Sequence, residues 1–322
     1  MLNGGALFAY IRRRALSALI ILLVASVLIF GILRLAPGDP AVAIAGPDAT
    51  APVIKAIRQS LGLDQNLAVQ YWTWLSGLFT GNLHHSYVFG SSVAALLGQA
   101  LSNTLELALG ALICAVVIAV AIGVPAGVSR RPGSARTANL IDSVLYAVPP
   151  YVTGVLFVLV FSVALHLFPA SGSGPGPWKS SASLHALILP AVCLSLPTAA
   201  IVGRFLGSSL RKTSEADFVR TARAKGISEA RLVWRHILPN SLPPVLTILG
   251  LQIGQLLSGA IIVETVFAWP GLGQLLVNSV TESDYLTTQD ILMFAVLVFV
   301  IIQLLTDIVN NVFDANRGKR NL

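Results

Sequence analysis

The residues best able to do chemistry lie in one polar stretch between two apolar parts of the chain. This stretch, residues 220–239, carries five Lys or Arg, one Glu and one His, and Gly226 divides it in two. A group of cations on a short segment can bind an acidic partner through electrostatic complementarity. The sequence therefore predicts a binding surface here.

Two short helices that meet at Gly226 are predicted for this region. Ser214 and Asp217 have the spacing of a capping box, which predicts the start of the first helix, and Gly226 is suited to end it. The second helix is predicted to begin after Ser228 and to stop at Pro239.

The second helix is predicted to have one apolar face, formed by Ala230, Val233, Trp234 and Ile237 at helical spacing. Two interpretations of this apolar face remain open. It can lie on the inner leaflet, with the basic side chains held by anionic lipid, or it can pack against a partner protein.

The whole chain is too apolar for a soluble protein, since 55% of its residues are hydrophobic and only 11% are charged. An all-α polytopic membrane protein is predicted, because a backbone in lipid must satisfy its own hydrogen bonds. Six segments are long enough to cross the bilayer. They are Ala15–Leu33, Leu107–Val128, Ser143–Leu165, Ala186–Gly203, Val245–Val263 and Ile291–Phe313.

The positive charges predict the orientation. With the amino terminus inside, 17 of the 21 Lys and Arg residues fall in cytoplasmic segments, so both termini are expected in the cytoplasm. Nucleic-acid binding is not favoured, because this charge is spread over four separate loops.

The segments outside the membrane have their own signals. A helix is predicted over residues 52–61, and Tyr71, Trp72 and Trp74 are expected at the membrane interface. Residues 169–183 are expected to be irregular, and residues 265–289 to form a re-entrant element.

Prolines and glycines inside the spans indicate bends and close packing. Pro149 and Pro150 are expected to bend the third span, as are Pro125, Pro190 and Pro197 in theirs. Gly250 and Gly254 have the spacing that lets another helix approach closely.

Polar residues inside the spans are candidates for a translocation pathway. They are Tyr146, Tyr151, Ser195, Thr198, Gln252, Gln255 and Ser258. Hydrogen bonds between helices would explain the same residues without a substrate. Among the acids at membrane depth, Glu106 and Glu264 lie near the outer ends of their spans. Together with Trp269 and Pro270 they are candidates for an outer gate or loop. Asp142 and Asp307 lie near the inner ends of theirs.

Several other functions are not favoured. The chain has no G-x-x-x-x-G-K-[ST] phosphate loop and no H-E-x-x-H motif, and His166 and His185 have no paired nucleophile. Cys114 and Cys193 lie in apolar spans and are expected to be packing residues. A proton-coupled carrier would need titratable groups at mid-membrane, and none of the acids is central.

The spacing in the polar stretch resembles the "EAA" loop of permease subunits in ATP-binding-cassette importers, and the variant is similar to the dipeptide, oligopeptide and nickel branch. The matching residues are Thr221, Ala222, Arg223, Ala224, Lys225, Gly226, Arg235, His236, Leu238 and Pro239. Further matching motifs are residues 37–40, 61–64, 103–107, 149–150, 264–267 and 270–273. One position departs from the pattern, since Arg220 stands where the family has glutamate; Asp217 is a candidate substitute.

The resemblance implies a type I importer permease of the B-type in the bacterial inner membrane. Its parts would be residues 1–35 with the first span, an extracytoplasmic segment at 36–100, and a five-helix core at 101–322 with a coupling loop at 207–244. Implied partners are a second, homologous permease, one or two ATPase subunits that hold ATP and Mg, and an extracytoplasmic solute-binding protein. The implied cargo is a dipeptide or oligopeptide, or alternatively a nickel chelate, and the chain itself is expected to bind no cofactor or metal.

Overall fold

A computed structural model of the chain describes residues 4–35, 39–46, 48–81, 83, 85–86, 88–129, 133–172 and 181–317. Several residues of the motifs, loops and charge counts given above lie outside these ranges. They are Pro37 and Gly38 of the first motif, the basic residues Arg130, Arg131, Lys179, Lys319 and Arg320, and most of the outer loop, residues 173–180. The side chain of Asp307 also lies outside the described part of the structure.

The structure is mainly helical, with one very short antiparallel hairpin. The helices are α1 Gly4–Leu35, α2 Pro40–Ala45, α3 Ala51–Ser60, α4 Leu67–Thr80, α5 Val93–Val128, α6 Ser134–Ala147, α7 Pro150–Phe157, α8 Ser181–Ser214, α9 Asp217–Ala224, α10 Glu229–Leu232, α11 Leu238–Val266, α12 Leu272–Thr281 and α13 Tyr285–Arg317. The strands are β1 His85–Ser86 and β2 Ser91–Ser92. Wider π-helical turns, Val158–Ala164 and Val233–Ile237, follow α7 and α10.

Within the described ranges, five helices are long and apolar enough to cross a membrane, and a sixth crossing results if one bent pair counts as a span. This agrees with the predicted all-α fold of six spans. The bend expected at Pro149 and Pro150 in the third span, Ser143–Leu165, is confirmed, because the chain turns by 93° between Ala147 and Pro150. Pro149 and Pro150 have no N–H groups, so the helical hydrogen bonds of α6 cannot continue into α7. Pro125, Pro190 and Pro197 lie inside helices that continue past them.

The chain divides into two compact units. The first comprises Met1–Thr104 and Pro270–Leu304, and the second comprises Leu105–Trp269 and Leu305–Leu322. A cluster of buried side chains forms the core of the first unit, namely Val93, Leu97, Ala100, Leu272 and Ile291.

In the first unit, Asp39 organises the start of the segment after α1. Its carboxylate accepts a hydrogen bond from the N–H of Ala41 at 2.9 Å and so caps α2, with Pro40 in the first helical position. Arg58 at the end of α3 forms an ion pair with the same carboxylate. The predicted helix over residues 52–61 is confirmed as α3.

The aromatic residues of α4 correct the interface prediction. Trp74 is buried, and its Nε1 donates a hydrogen bond to Asp290 of α13 at 2.8 Å. The Tyr71 hydroxyl lies 2.8 Å from Ser26 Oγ of α1. Only Trp72 of the three is exposed, so the other two aromatics serve to fasten α4 to the long helices of this unit.

Residues 265–289, expected to be re-entrant, contain the helix α12. The turn after α12 is tied to the hairpin, because Ser86 Oγ of β1 donates to Asp284 Oδ2 at 2.6 Å. Thr288 Oγ1 and Ser279 Oγ lie 3.0 Å apart beside it. These buried polar groups pair with one another, as burial away from water requires.

In the second unit, α5 and α8 approach each other through small residues. A Cβ atom placed on Gly123 would lie 2.7 Å from the carbonyl oxygen of Gly203, and one on Gly127 would lie 2.7 Å from that of Gly207. Both helices thus carry a G-x-x-x-G spacing at the contact. The backbones can be this close only because no side chain stands between them.

The close contact between α5 and α8 leads to a prediction about stability. Replacing Gly123 with Ala should destabilise the folded subunit by about 1–3 kcal/mol, because the added methyl group meets a backbone oxygen that cannot rotate away. The fraction of detergent-purified protein that survives heating measures the effect. Gly98→Ala is the matched control on the same helix, since a Cβ there meets nothing within 4 Å. Equal survival of the two variants would contradict the proposed contact.

Candidate coupling interface

The residues of interest lie in what we call the elbow segment, residues 217–239, which connects α8 to α11. Its first helix, α9, begins at Asp217. The predicted capping box is wrong, because Ser214 still belongs to α8 and its Oγ donates to the carbonyl of Arg211 at 2.7 Å. The hydroxyl is thus already used within the preceding helix and does not cap α9.

Gly226 ends α9 as predicted. Its φ is +76°, in the left-handed region that favours glycine. The N–H of Gly226 donates to the carbonyl of Arg223, and the N–H of Ile227 donates to that of Ala222, at 2.9 and 3.3 Å. This pair of bonds is a Schellman motif, which satisfies the last carbonyls of the helix and turns the chain.

The second helix does not end at Pro239, and this prediction is wrong. The chain passes from α10 through the π-helical turn Val233–Ile237 directly into α11, so that one helical run extends from Glu229 to Val266. Pro239 lies inside this run, directly after the π-helical turn, where its missing N–H interrupts the hydrogen bonds of the helix without ending it. The second part of the elbow segment, residues 229–239, is therefore a direct helical extension of the fifth predicted span.

Buried apolar side chains hold the elbow segment on the membrane helices. Val219 of α9 and Leu232, Val233 and Ile237 of the second helical run are all buried in one cluster, whose other members come from α5, α8 and α11. Those other members are Ala119, Val202, Leu206, Leu210 and Val245. Burying each larger side chain stabilises this arrangement by about 1.5–3 kcal/mol.

The predicted apolar face is therefore shifted around the helix. Leu232, which was not assigned to it, is fully buried, whereas Trp234 is 58% exposed and Ala230 is also exposed. The π-helical turn changes the angular step per residue, so a spacing based on 3.6 residues per turn no longer describes which side chains share a face.

An ion pair braces the two helices across the elbow. Arg223 of α9 donates from Nε and Nη2 to the two carboxylate oxygens of Glu229 of α10, at 2.7 and 3.3 Å. A second and looser pair, 3.8 Å between Arg220 and Asp217, lies on the exposed side of α9. Asp217 thus lies beside Arg220, the residue that departs from the family pattern. Its role as a substitute for the family's glutamate stays a prediction.

Hydrogen bonds between α8 and α11 support the base of the elbow. Ser209 Oγ donates to the carbonyl of Ser241 at 2.9 Å, and Ser241 Oγ lies 2.9 Å from Thr213 Oγ1. Ser241 is completely buried. None of these three hydroxyl residues was singled out from the sequence, although two of them precede the elbow by only a few residues.

The outward side of the elbow segment is aromatic and basic. Phe218 and Trp234 expose 44% and 58% of their surfaces. The exposed basic residues are Arg220, Lys225, Arg231 and Arg235. Of the residues that matched the family pattern, Thr221, Ala224, Lys225, Gly226, Arg235 and Pro239 are exposed, and Ala222, Arg223, His236 and Leu238 are half-buried.

The candidate pathway residues divide into two groups within the second unit. Tyr146, Tyr151, Gln255 and Ser258 are exposed, whereas Ser195, Thr198 and Gln252 are buried. Ser195 Oγ donates to the carbonyl of Val192 and Ser258 Oγ to that of Gly254, each within its own helix. The exposed group alone is available to a solute on the surface of this subunit, and the pathway role of the seven residues stays a prediction.

The candidate outer residues of the second unit form a compact turn after α11. Glu264 and Trp269 are buried, and the N–H of Trp269 donates to the carbonyl of Glu264 at 2.8 Å. Gly154 of α7 lets this turn pack closely, since a Cβ there would lie 2.9 Å from Val266 Cγ1. Glu106 is half-buried on α5.

In the first unit, two motifs far apart in sequence contact each other. Asn103 Nδ2 donates to the carbonyl of Pro270 at 2.8 Å, and the N–H of Leu272 donates to Thr104 Oγ1 at 2.9 Å. Thr104 thereby satisfies a free N–H group at the start of α12. Residues 103–107 and 270–273 were each identified as motifs in the sequence, but only the tertiary structure shows that they contact each other.

Comparison with known proteins agrees with this architecture. The model of the binding-protein-dependent transport system inner membrane component family matches residues 119–319, and the model of its N-terminal region matches residues 7–122. The glutathione transport system permease protein GsiC of Escherichia coli K12 is 40% identical over 300 residues, which cover 93% of this chain and 95% of that protein. GsiC of Salmonella typhimurium LT2 is 39% identical over the same coverage.

A solved structure supports the fold. The inward-facing MetNI methionine ABC transporter has a chain that matches with a TM-score of 0.54 and 19% identity, covering 68% of this chain and 96% of that one. With the elbow segment, the membrane helices and these matches taken together, the chain belongs to the family of binding-protein-dependent transport system inner membrane components, as a permease subunit of an ATP-binding-cassette importer of the peptide type.

Proposed function

We propose that this subunit imports short peptides, with a tripeptide of the size of glutathione as the first candidate, and that its elbow segment is the part moved by a partner ATPase. The observation that carries the proposal is the anchored elbow segment with its exposed aromatic and basic side. The peptide cargo is suggested by the relatives named for glutathione transport.

The anchoring supports a role as a lever. Helices of eight and four residues are too short to persist by themselves. Here the buried cluster, the Arg223–Glu229 ion pair and the helical continuity with α11 hold them on the membrane helices. A force applied to the elbow would therefore move α8 and α11 rather than deform the elbow.

The exposed side supports a protein partner over lipid. Trp and Arg are enriched where protein interfaces concentrate their binding energy. Trp234 and Phe218 would fill an apolar cleft of the ATPase, while the surrounding Lys and Arg side chains would select an acidic rim. ATP and Mg would be held by the ATPase subunits, and this chain would bind no cofactor.

The mechanism we propose is alternating access. Closure of two ATPases on ATP would draw the elbow segments of this subunit and of a homologous second permease together, and would open the paired subunits to the outside. A solute-binding protein would deliver the peptide there. Tyr146, Tyr151, Gln255 and Ser258 are the exposed polar residues available to contact a peptide backbone.

The aromatic contact can be tested on the complete transporter in proteoliposomes. Trp234→Ala should lower ATP-driven uptake by about tenfold or more, because an aromatic anchor at an interface contributes at least about 2 kcal/mol. Co-purification of the ATPase should weaken in parallel. Trp72→Ala is the matched control, since that tryptophan is 66% exposed on α4 in the other unit. An equal effect of both substitutions would exclude the proposed contact.

The cargo can be tested with the cognate binding protein and a panel of labelled glutathione, a dipeptide, a pentapeptide and a nickel chelate. We expect ATP-dependent uptake of glutathione, reduced by excess unlabelled tripeptide. Uptake of the nickel chelate alone would reject a peptide cargo. Uptake that persists without ATP but collapses with the proton gradient would instead indicate a secondary carrier.

The orientation also follows as a proposal, with both termini and the elbow in the cytoplasm. Lys225→Cys should react with a membrane-impermeant maleimide only in inside-out vesicles, and Lys55→Cys only in right-side-out vesicles, since both side chains are exposed. The parent chain is the control, because Cys193 is buried and Cys114 is half-buried. Labelling of Lys225→Cys from the outside would reverse the proposed orientation.

A further inference from the structure

A polar cavity lies in the second unit, separate from the outward side of the elbow segment. Its volume is about 220 Å³, and it is formed where α6 packs beside the ends of α5 and α8. The polar residues that line it are Asn139, Asp142, Arg204, Ser208 and Arg211. Ser208 and Arg211 lie in the predicted coupling loop, residues 207–244, but none of the five is among the residues matched to the family pattern or among the candidate pathway residues.

Asp142 gives the cavity its chemical character. The residue is only 2% exposed, and its Oδ1 has no hydrogen-bond partner among the described residues. The facing residue on α8 is Gly203, and a Cβ there would still lie 3.5 Å from Asp142 Oδ1. Arg204 already supplies a positive charge near this carboxylate. A buried carboxylate oxygen without a donor is nevertheless costly, so the site favours a ligand that brings N–H groups.

Two arginines give the mouth of the cavity the opposite charge. Both Arg204 and Arg211 are exposed, and both line the cavity. Arg211 is held in place, because its Nη2 donates to the carbonyl of Ala126 at 2.9 Å. Guanidinium groups recognise phosphate through paired N–H donors. The cavity thus presents an acceptor at its buried end and phosphate-binding donors at its mouth.

The surroundings of the cavity favour a lipid as the source of such a ligand. Leu140 and Val144 of α6, next to the lining residues, each expose 62% of their surface, and Phe205 of α8 exposes 46%. Acyl chains can lie along these apolar side chains while the headgroup enters the cavity. A volume near 220 Å³ is below the range of about 300–1,000 Å³ that is usual for larger ligands, and it suits a headgroup.

We infer that this cavity binds the headgroup of a phospholipid that carries both a phosphate and a primary ammonium group, as phosphatidylethanolamine does. The ammonium group donates to Asp142, and Arg204 and Arg211 hold the phosphate. The lipid belongs to the leaflet on the side of the elbow segment, since α8 runs from the cavity directly toward that segment. Bound there, it fills the space between α6 and α8.

The test uses the complete transporter in nanodiscs that contain phosphatidylethanolamine, phosphatidylglycerol and phosphatidylcholine in equal amounts. Native mass spectrometry measures which lipid remains bound after mild activation. We expect the wild-type complex to retain phosphatidylethanolamine selectively, because phosphatidylglycerol lacks the ammonium group and phosphatidylcholine lacks its N–H donors. Asp142→Asn and Arg204→Gln should each reduce this retention about tenfold, the effect of losing one charge-assisted hydrogen bond.

Glu282→Gln is the matched control, because that carboxylate is exposed at the end of α12 in the other unit. Retention unchanged in Asp142→Asn, or equal retention of the three lipids by the wild type, would overturn the inference. Soluble phosphoethanolamine provides the second arm of the test. If it binds the wild-type complex in detergent while the diacyl lipid does not, the site takes a free zwitterion and the lipid assignment is wrong.

Discussion

The buried cluster beneath the elbow segment is the interaction on which the rest of the structure depends. Val219, Leu232, Val233 and Ile237 join side chains from three membrane helices, and together they turn two very short helices into a fixed feature. Protein interiors are packed as tightly as organic crystals, so a displacement at the elbow cannot be absorbed within such a cluster. Under the proposed coupling, the cluster would transmit a displacement of the elbow segment to the membrane helices.

The glycine contact between α5 and α8 belongs to the same arrangement. Gly123 and Gly127 bring α5 against the backbone of Gly203 and Gly207. Leu206 and Leu210, which belong to the buried cluster beneath the elbow segment, lie on the same stretch of α8. The two sets of residues alternate along α8, so that one helix provides both the close backbone packing and the apolar surface on which the elbow segment packs.

The first unit is stabilised by hydrogen bonds between buried polar groups. Polar side chains pair inside it, as in the bonds from Trp74 to Asp290, from Ser86 to Asp284 and from the N–H of Leu272 to Thr104. Buried polar groups must be paired, and each partner must arrive in one orientation. Such contacts specify how the segment after α1 sits on the neighbouring helices more sharply than apolar packing would.

The sequence by itself determined the helices, the membrane class and the turn at Gly226, since these follow from hydrophobic length, charge and the left-handed backbone that glycine allows. It also carried the family spacing around the elbow. Only the tertiary structure decided that the bend expected in the third span is as large as 93°, that Pro239 does not end its helix and that Leu232 rather than Trp234 is buried. The π-helical turn shifts the side chains around the axis, and a pattern that assumes regular helices cannot anticipate such a shift. The cavity around Asp142 likewise depends on three helices that meet only after folding, because burial is a property of neighbours and not of the residue itself.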